Sequence, residues 1–184
     1  MTRFLDMKSV VSELKGFAAR GFPVNDIEAF LRDTSIEPAD LARYSGYSDE
    51  RYMRHLVHKD EDFEILVICW SSGQSAPIHG HEGELCWARV ERGRLRFASY
   101  RVASEEPLVL EPIAEPVNAD AGFLDGPADI HSVENLADFG DNAASLHVYS
   151  KPYGECDVYD SVNGPRRRVR LAYDSIDGRP VSSS

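Results

Sequence analysis

Cysteine, tryptophan and methionine are scarce in this sequence, at 3, 2 and 3 residues among 184. An odd cysteine count without paired spacing gives no disulfide framework and suits a reducing compartment. Long apolar runs are missing too. Stretches such as Ile65 to Trp70 are far too short to span a bilayer. The opening residues, Met1 to Lys8, hold no apolar signal-peptide core, so a cytoplasmic protein is expected. Basic side chains are the minority, 20 Lys and Arg against 31 Asp and Glu. The formal charge of -11 argues against nucleic acid and anionic membranes as partners, because both would repel the chain. Neither an internal repeat nor a segment marking an obligate protein partner is visible.

What is present is an ordinary globular composition, 42% apolar and 28% charged, in a chain long enough for one domain with a sizeable core. The expected organisation is a single domain over residues 1–184: a helical layer over 1–45, a β-barrel over 51–172 and a loose polar tail over 174–184. Phe4, Val10, Val11, Leu14, Phe17 and Ala18 recur at steps of three and four, the stripe of an amphipathic helix. Gly21-Phe-Pro23 breaks it. Asn25 is the expected N-cap of a helix over Ile27 to Leu31, and Ser35-Ile-Glu-Pro38 opens a third.

From Arg51 the period becomes two. Strands are expected at Tyr52–Val57, Phe63–Trp70, Leu85–Val90, Leu95–Arg101, Pro107–Pro112, Val117–Leu124, Ile130–Glu134, Ala144–Ser150, Cys156–Tyr159 and Arg166–Leu171. Many short strands at even spacing, separated by turn signals such as Arg92-Gly93 and Asp125-Gly-Pro127, indicate a mainly β antiparallel sandwich or barrel.

One stretch carries chemistry, Gly73-Gln-Ser-Ala-Pro-Ile-His79-Gly-His81-Glu-Gly-Glu-Leu-Cys86. Two histidines one residue apart on extended backbone face the same way, which makes a two-point grip on a metal ion. A third ligand must come from elsewhere, and beyond position 81 the histidines are His131 and His147. Alternation sorts Ser145, His147 and Tyr149 onto one face of their strand, a polar face without the Lys and Glu of a solvent side, and therefore a candidate pocket lining. Glu82 and Glu84 flank Gly83 and are expected to be solvated. Cys86 taken alone would be a small buried apolar residue. His55 and His58 are expected to be surface side chains, and Arg166-Arg-Arg168 a solvated strand edge.

Gly73-x5-His79-x-His81-x4-Cys86-x6-Gly93 resembles the first cupin motif, with cysteine where most cupins keep a glutamate ligand. His131-x3-Asn135 is similar to the end of the second, although its Pro-x-Gly part is out of register. With Ser145-Leu-His-Val-Tyr149-Ser-Lys-Pro152, Tyr52-Met-Arg54 and Cys156, the pattern from Tyr52 to Asp160 resembles the cysteine dioxygenases, the thiol dioxygenase branch of the cupins. The resemblance implies a cupin barrel, or double-stranded β-helix, binding Fe(II) through His79, His81 and His131. It implies a thioether cross-link between Cys86 and Tyr149, and a relay from Ser145 through His147 to the Tyr149 hydroxyl. Arg54 would bind the substrate carboxylate with Tyr52 beside it, Trp70 would pack behind the site, and Cys156 would lie near the pocket mouth. The chain departs from some members at Lys151, where they have proline, so a trans Ser150–Lys151 bond is expected.

The implied reaction is L-cysteine plus dioxygen to cysteine sulfinate, with a small thiol and O2 as the only partners. Alternatives are a dioxygenase of another small thiol such as 3-mercaptopropionate, and a non-catalytic metal- or ligand-binding cupin. A cupin isomerase or hydrolase with another metal is disfavoured by the missing glutamate.

Overall fold

The computed structural model describes residues 3–181. Its N-terminal part runs β1 (Arg3–Leu5), α1 (Met7–Ala18), α2 (Val24–Asp33), β2 (Thr34–Ile36) and α3 (Pro38–Arg43). Helix α1 starts where the Asp6 side chain accepts a hydrogen bond from the Ser9 N–H at 2.7 Å, satisfying one of the free donors of the first turn. It buries Met7, Val10, Leu14 and Phe17 on one stripe. Phe4 does not belong to that stripe. The Asp6 cap stops the helix after it, and Phe4 sits on β1, paired in parallel with β2 and largely exposed. Asn25 is not a cap either. The left-handed Gly21 and the fixed φ of Pro23 set the turn, so α2 begins at Val24 and Asn25 falls inside its first turn. Pro38 does open α3 at its first turn.

The rest is strand: β3 (Met53–Lys59), β4 (Glu64–Trp70), β5 (Ser75–Gly80), β6 (Cys86–Arg92), β7 (Arg94–Glu105), β8 (Leu108–Pro112), β9 (Val117–Asp120), β10 (Leu124–Ala128), β11 (Ile130–Glu134), β12 (Ala143–Tyr149), β13 (Glu155–Tyr159), β14 (Arg166–Arg170), β15 (Ser175–Ile176) and β16 (Arg179–Pro180). One sheet has the order β10-β6-β12-β4-β3-β15-β16; the other is β14-β13-β5-β11-β7-β8, with β9 also on β7. The two sheets face each other as the jelly-roll barrel of a cupin, and the chain is mainly β.

Alternation along β4 shows how the layers are built. Leu66, Ile68 and Trp70 join Cys86, Ala88, Val90, Leu95, Phe97 and Val133 in the core between the sheets. Ile65, Val67 and Cys69 point the other way and pack with Leu146, Val148 and Trp87 against Leu14, Phe17, Ile27 and Leu31 of the helices. Strand β4 is therefore buried on both faces, and its near-continuous apolar run reflects that.

Three expectations need correction. The strand foreseen over Val117–Leu124 is broken at Gly122 (φ 96°), and its halves join different sheets, β9 on β7 and β10 on β6. The tail is not loose through Val181. Strand β15 pairs in parallel with β3, β16 turns back on it, and the Asp174 carboxylate accepts from the Arg54 backbone N–H at 2.7 Å. His55 is consequently no surface residue. It is buried, with Nδ1 2.8 Å from Ser175 Oγ and Nε2 3.0 Å from the Gly46 oxygen. His58 is partly buried beside Asp60. Among the described residues, no helix is long and apolar enough to cross a membrane.

Candidate metal centre

His79 is the next-to-last residue of an alternating strand, β5, and its register partner on β11 is His131. Neighbouring strands thus bring two imidazoles together edge to face, and His81, one residue beyond β5, closes the triangle. Ring centroids are 5.1 Å apart for His79 and His81, 4.9 Å for His79 and His131, and 4.7 Å for His81 and His131. One nitrogen from each ring lies within 4.8 Å of the others. In every ring the Nδ1 edge is already engaged: His79 with the Pro77 oxygen at 2.8 Å, His81 with the Ala128 oxygen at 3.0 Å, and His131 with Asp125 Oδ2 at 3.1 Å. The Nε2 atoms of His81 and His131 are buried and have no protein partner. Two orphaned buried acceptors beside a third imidazole are an unfavourable arrangement unless a cation takes them, so the residues present fit a metal ion.

Protonation agrees. Burial, followed by the neighbouring His131, pushes His79 down to about 3. Burial and then the other two rings hold His81 well below the ordinary histidine value. Both imidazoles are therefore neutral near pH 7, the form that ligates. Glu82 and Glu84 stand outside the cluster: Glu82 accepts from Arg168 at 2.6 Å and Glu84 from Ser150 Oγ at 3.1 Å.

The Ser145, His147 and Tyr149 face of β12 does point inward. Trp70 Nε1 donates to Ser145 Oγ at 3.0 Å, Ser145 Oγ lies 2.9 Å from His147 Nε2, and His147 Nδ1 lies 3.4 Å from the Tyr149 hydroxyl. With Trp70 donating to Ser145, the serine hydroxyl can donate to Nε2, which leaves Nδ1 as the protonated edge facing Tyr149. Burial, and then the neighbouring His131 and His79 rings, keep His147 neutral, well below its ordinary value. Tyr149 is the cross-strand partner of Cys86 in the β12–β6 register. Burial first, then the Asp125 carboxylate, push the Cys86 thiol well above its usual value.

A cavity of about 230 Å³ opens beside these groups. Tyr52, Arg54, Trp70, His79, His147, Tyr149 and Cys156 all line it. Tyr52 stacks on Trp70, with centroids 4.8 Å apart. Arg54 Nε is buried without a hydrogen-bond partner, a cation held ready. Cys156 is buried in the wall. The cis bonds fall at Glu106–Pro107 and Gly126–Pro127, not at Ser150–Lys151.

Several residues at the site were not foreseen. Asp125 backs His131. Tyr153 lines the cavity edge-on to Tyr149, with centroids 5.2 Å apart. Arg167 is not simply a solvated edge: it lines the cavity with Val169 and Leu171, while its neighbours Arg166 and Arg168 pair with Asp157 on the outer side. Alternation along β14 was the signal that could have found it.

The sequence between residues 5 and 162 matches the family model described as cysteine dioxygenase type I. Cysteine dioxygenase type 1 of Homo sapiens is 25% identical over 165 residues, covering 88% of this chain and 82% of that protein. The Mus musculus protein of the same name is 26% identical over 176 residues, 94% and 86% of the two chains. A solved structure described as an uncharacterized conserved protein with a double-stranded beta-helix domain, from Klebsiella pneumoniae, aligns with a TM-score of 0.47 at 15% identity, over 71% of this chain and 89% of that one. The family match takes in both histidine-bearing strands, the Cys86–Tyr149 pair and Arg54, and this chain belongs to the cysteine dioxygenase type I family.

Proposed function

We propose that the protein is an iron-dependent thiol dioxygenase acting in the cytoplasm on L-cysteine. In that reaction R–SH and O2 give R–SO2H: both oxygen atoms end on sulfur, the thiol supplies the four electrons, and no other reductant is needed. The observation that carries the substrate class is Arg54, a half-buried side chain whose Nε is buried and unpartnered, lining the same cavity as His79. A small thiol with a carboxylate fits it, because guanidinium holds a carboxylate through parallel hydrogen bonds.

Fe(II) held by His79, His81 and His131 would supply a binding place for sulfur and dioxygen side by side and lower the thiol pKa. The chain's own residues do the rest. Arg54 fixes the carboxylate end, with Tyr52 beside it. The aliphatic and aromatic walls exclude water. The Tyr149 hydroxyl, with His147 Nδ1–H at 3.4 Å, keeps its proton at pH 7, since burial pushes it well above the ordinary phenol value. It can therefore donate a hydrogen bond to oxygen or to substrate. A Cys86–Tyr149 thioether would lock that phenol in place. The three cysteines are free and buried, in keeping with a reducing compartment.

A second reading has its own observation. Among the described residues lining the cavity there is no Asp or Glu to receive a substrate ammonium group. A thiol acid without an amine, such as 3-mercaptopropionate, satisfies the same cation. The deciding experiment is oxygen uptake by the ferrous protein with cysteine, 3-mercaptopropionate and cysteamine, with the products identified. Cysteine sulfinate as the fastest-formed product supports the first reading; preference for the thiol acid selects the second. No uptake with any thiol leaves a non-catalytic metal-binding cupin.

A further inference from the structure

The centre is built from three imidazole rings, yet one of them is not backed like the other two. The Nδ1 partners of His79 and His81 are backbone oxygens, those of Pro77 and Ala128. The partner of His131 is a side-chain carboxylate, Asp125 Oδ2 at 3.1 Å. His131 itself is fully buried, and the Asp125 side chain is 15% exposed. Among the described residues, His131 is the one basic side chain within ion-pair distance of Asp125.

The local backbone explains how Asp125 comes to be there. Strand β10 pairs with β6 at Asp125↔Ala88 and again at Ala128↔Cys86, so three steps on one strand match two on the other. The extra residue is a bulge, which bends the strand and re-aims what it carries. Gly126 permits it: its φ is 104°, and a Cβ there would collide with the Cys86 backbone oxygen. The irregular segment 125–128 thus delivers two separate groups to the histidines, the Asp125 carboxylate to His131 and the Ala128 carbonyl to His81.

We propose that Asp125 is a positioning residue of the metal centre: its carboxylate accepts the His131 Nδ1–H, aims Nε2 at the ion and makes His131 the strongest donor of the three. A cupin centre with cysteine at position 86 has no carboxylate ligand of its own. Asp125 returns one negative charge to the centre, one hydrogen bond removed from the metal. A carboxylate behind a ligating imidazole raises its basicity and fixes its tautomer, and removing such a partner costs about 10- to 100-fold in metal affinity. This inference rests on the reading of His79, His81 and His131 as a metal site.

The test compares the unmodified protein with Asp125→Asn and Asp125→Glu. Asparagine keeps the shape and an acceptor oxygen but loses the charge; glutamate keeps the charge. Dissociation constants for Fe(II) and Co(II) are measured by competition with a chromophoric chelator, and the visible bands of the cobalt forms are recorded. Circular dichroism and thermal unfolding of the metal-free proteins report on the fold. The expected result is a metal-free fold unchanged in Asp125→Asn, affinity weakened about 10- to 100-fold, shifted cobalt bands, and part of the affinity restored in Asp125→Glu. Unchanged affinity and unchanged bands in Asp125→Asn would overturn the proposal. Thiol oxidation by the unmodified protein separates the two ideas. Oxidation together with unchanged affinity in Asp125→Asn removes the role of Asp125 and leaves the dioxygenase; weakened affinity with no thiol oxidised does the reverse.

Discussion

A buried guanidinium with no anion beside it costs several kcal/mol unless something arrives to pair with it. Arg54 comes part of the way to that position: the side chain is half-buried, its Nε is buried and free, and its ring neighbour Tyr173 offers only a π face at 6.0 Å. Arg54→Ala should therefore raise KM for a carboxylate-bearing thiol about 10- to 100-fold, the worth of a hydrogen-bonded charge pair, and leave cysteamine nearly unaffected. Steady-state kinetics with both thiols checks it, and equal effects on the two would remove Arg54 from that role. Cys86 and Tyr149 make a second prediction. They sit opposite one another in register, so oxidative turnover should produce a faster-migrating band on a denaturing gel. Cys86→Ser should abolish that band, and identical single bands in both proteins would argue against a thioether. At this scale the sequence was legible where spacing alone sets direction: His79 and His81 share a side of one extended segment, and Ser145, His147 and Tyr149 share one face. Asp125 and Tyr153 were not legible. Their places depend on a bulge and on a loop after β12, which no local period records.

Elements were legible in proportion to their length and burial. Strands β4 and β12 were foreseen within a residue of their ends because β4 is an almost unbroken apolar run and β12 alternates along its length. The C-terminal pair was missed because strands of two residues, β15 and β16, carry no readable period. What ties that segment down is Asp174, which reaches back more than a hundred positions to the Arg54 N–H and to the Arg51 guanidinium. Burial by itself would raise the Asp174 carboxyl, but the hydrogen bonds from Arg51 and the Arg54 amide outweigh it and hold the group below its ordinary value. The sign follows from that. A carboxyl depressed in the folded state stabilises above its unfolded pKa, about 3.9, and loses that contribution as the pH falls through the folded value. Asp174→Asn should lower stability at pH 7 by about 1–2 kcal/mol and flatten the acid limb of the stability curve below pH of about 4. Urea unfolding across that range measures both. A variant with the same acid limb as the unmodified protein would exclude Asp174 as the titrating link.

At the scale of the whole molecule, strand β6 joins the helical layer to the barrel. Its inward residues, Cys86, Ala88 and Val90, belong to the core around the site, and its outward residues meet the N-terminal segment. There Arg89 and Glu91 form an ion pair at 2.9 Å with side chains 2% and 1% exposed. Arg89 Nη2 donates to Ser35 Oγ at 2.9 Å, and Glu91 Oε2 accepts from the Ile36 N–H at 3.2 Å. The pair therefore straps β2 onto the back of the strand that presents Cys86 to Tyr149. Removing one partner strands the other charge in the interior. Glu91→Ala should cost about 3–5 kcal/mol, a fall in Tm of roughly 6–20 °C for a chain of this size. The exposed pair Arg20–Asp26, at 3.0 Å, is the control, and Asp26→Asn should cost less than about 1 kcal/mol. Differential scanning calorimetry of the metal-free proteins compares them directly. If Glu91→Ala unfolded no earlier than Asp26→Asn, the helical layer would be held by its apolar face alone, through Leu14, Phe17, Ile27 and Leu31 on the outer side of β4 and β12.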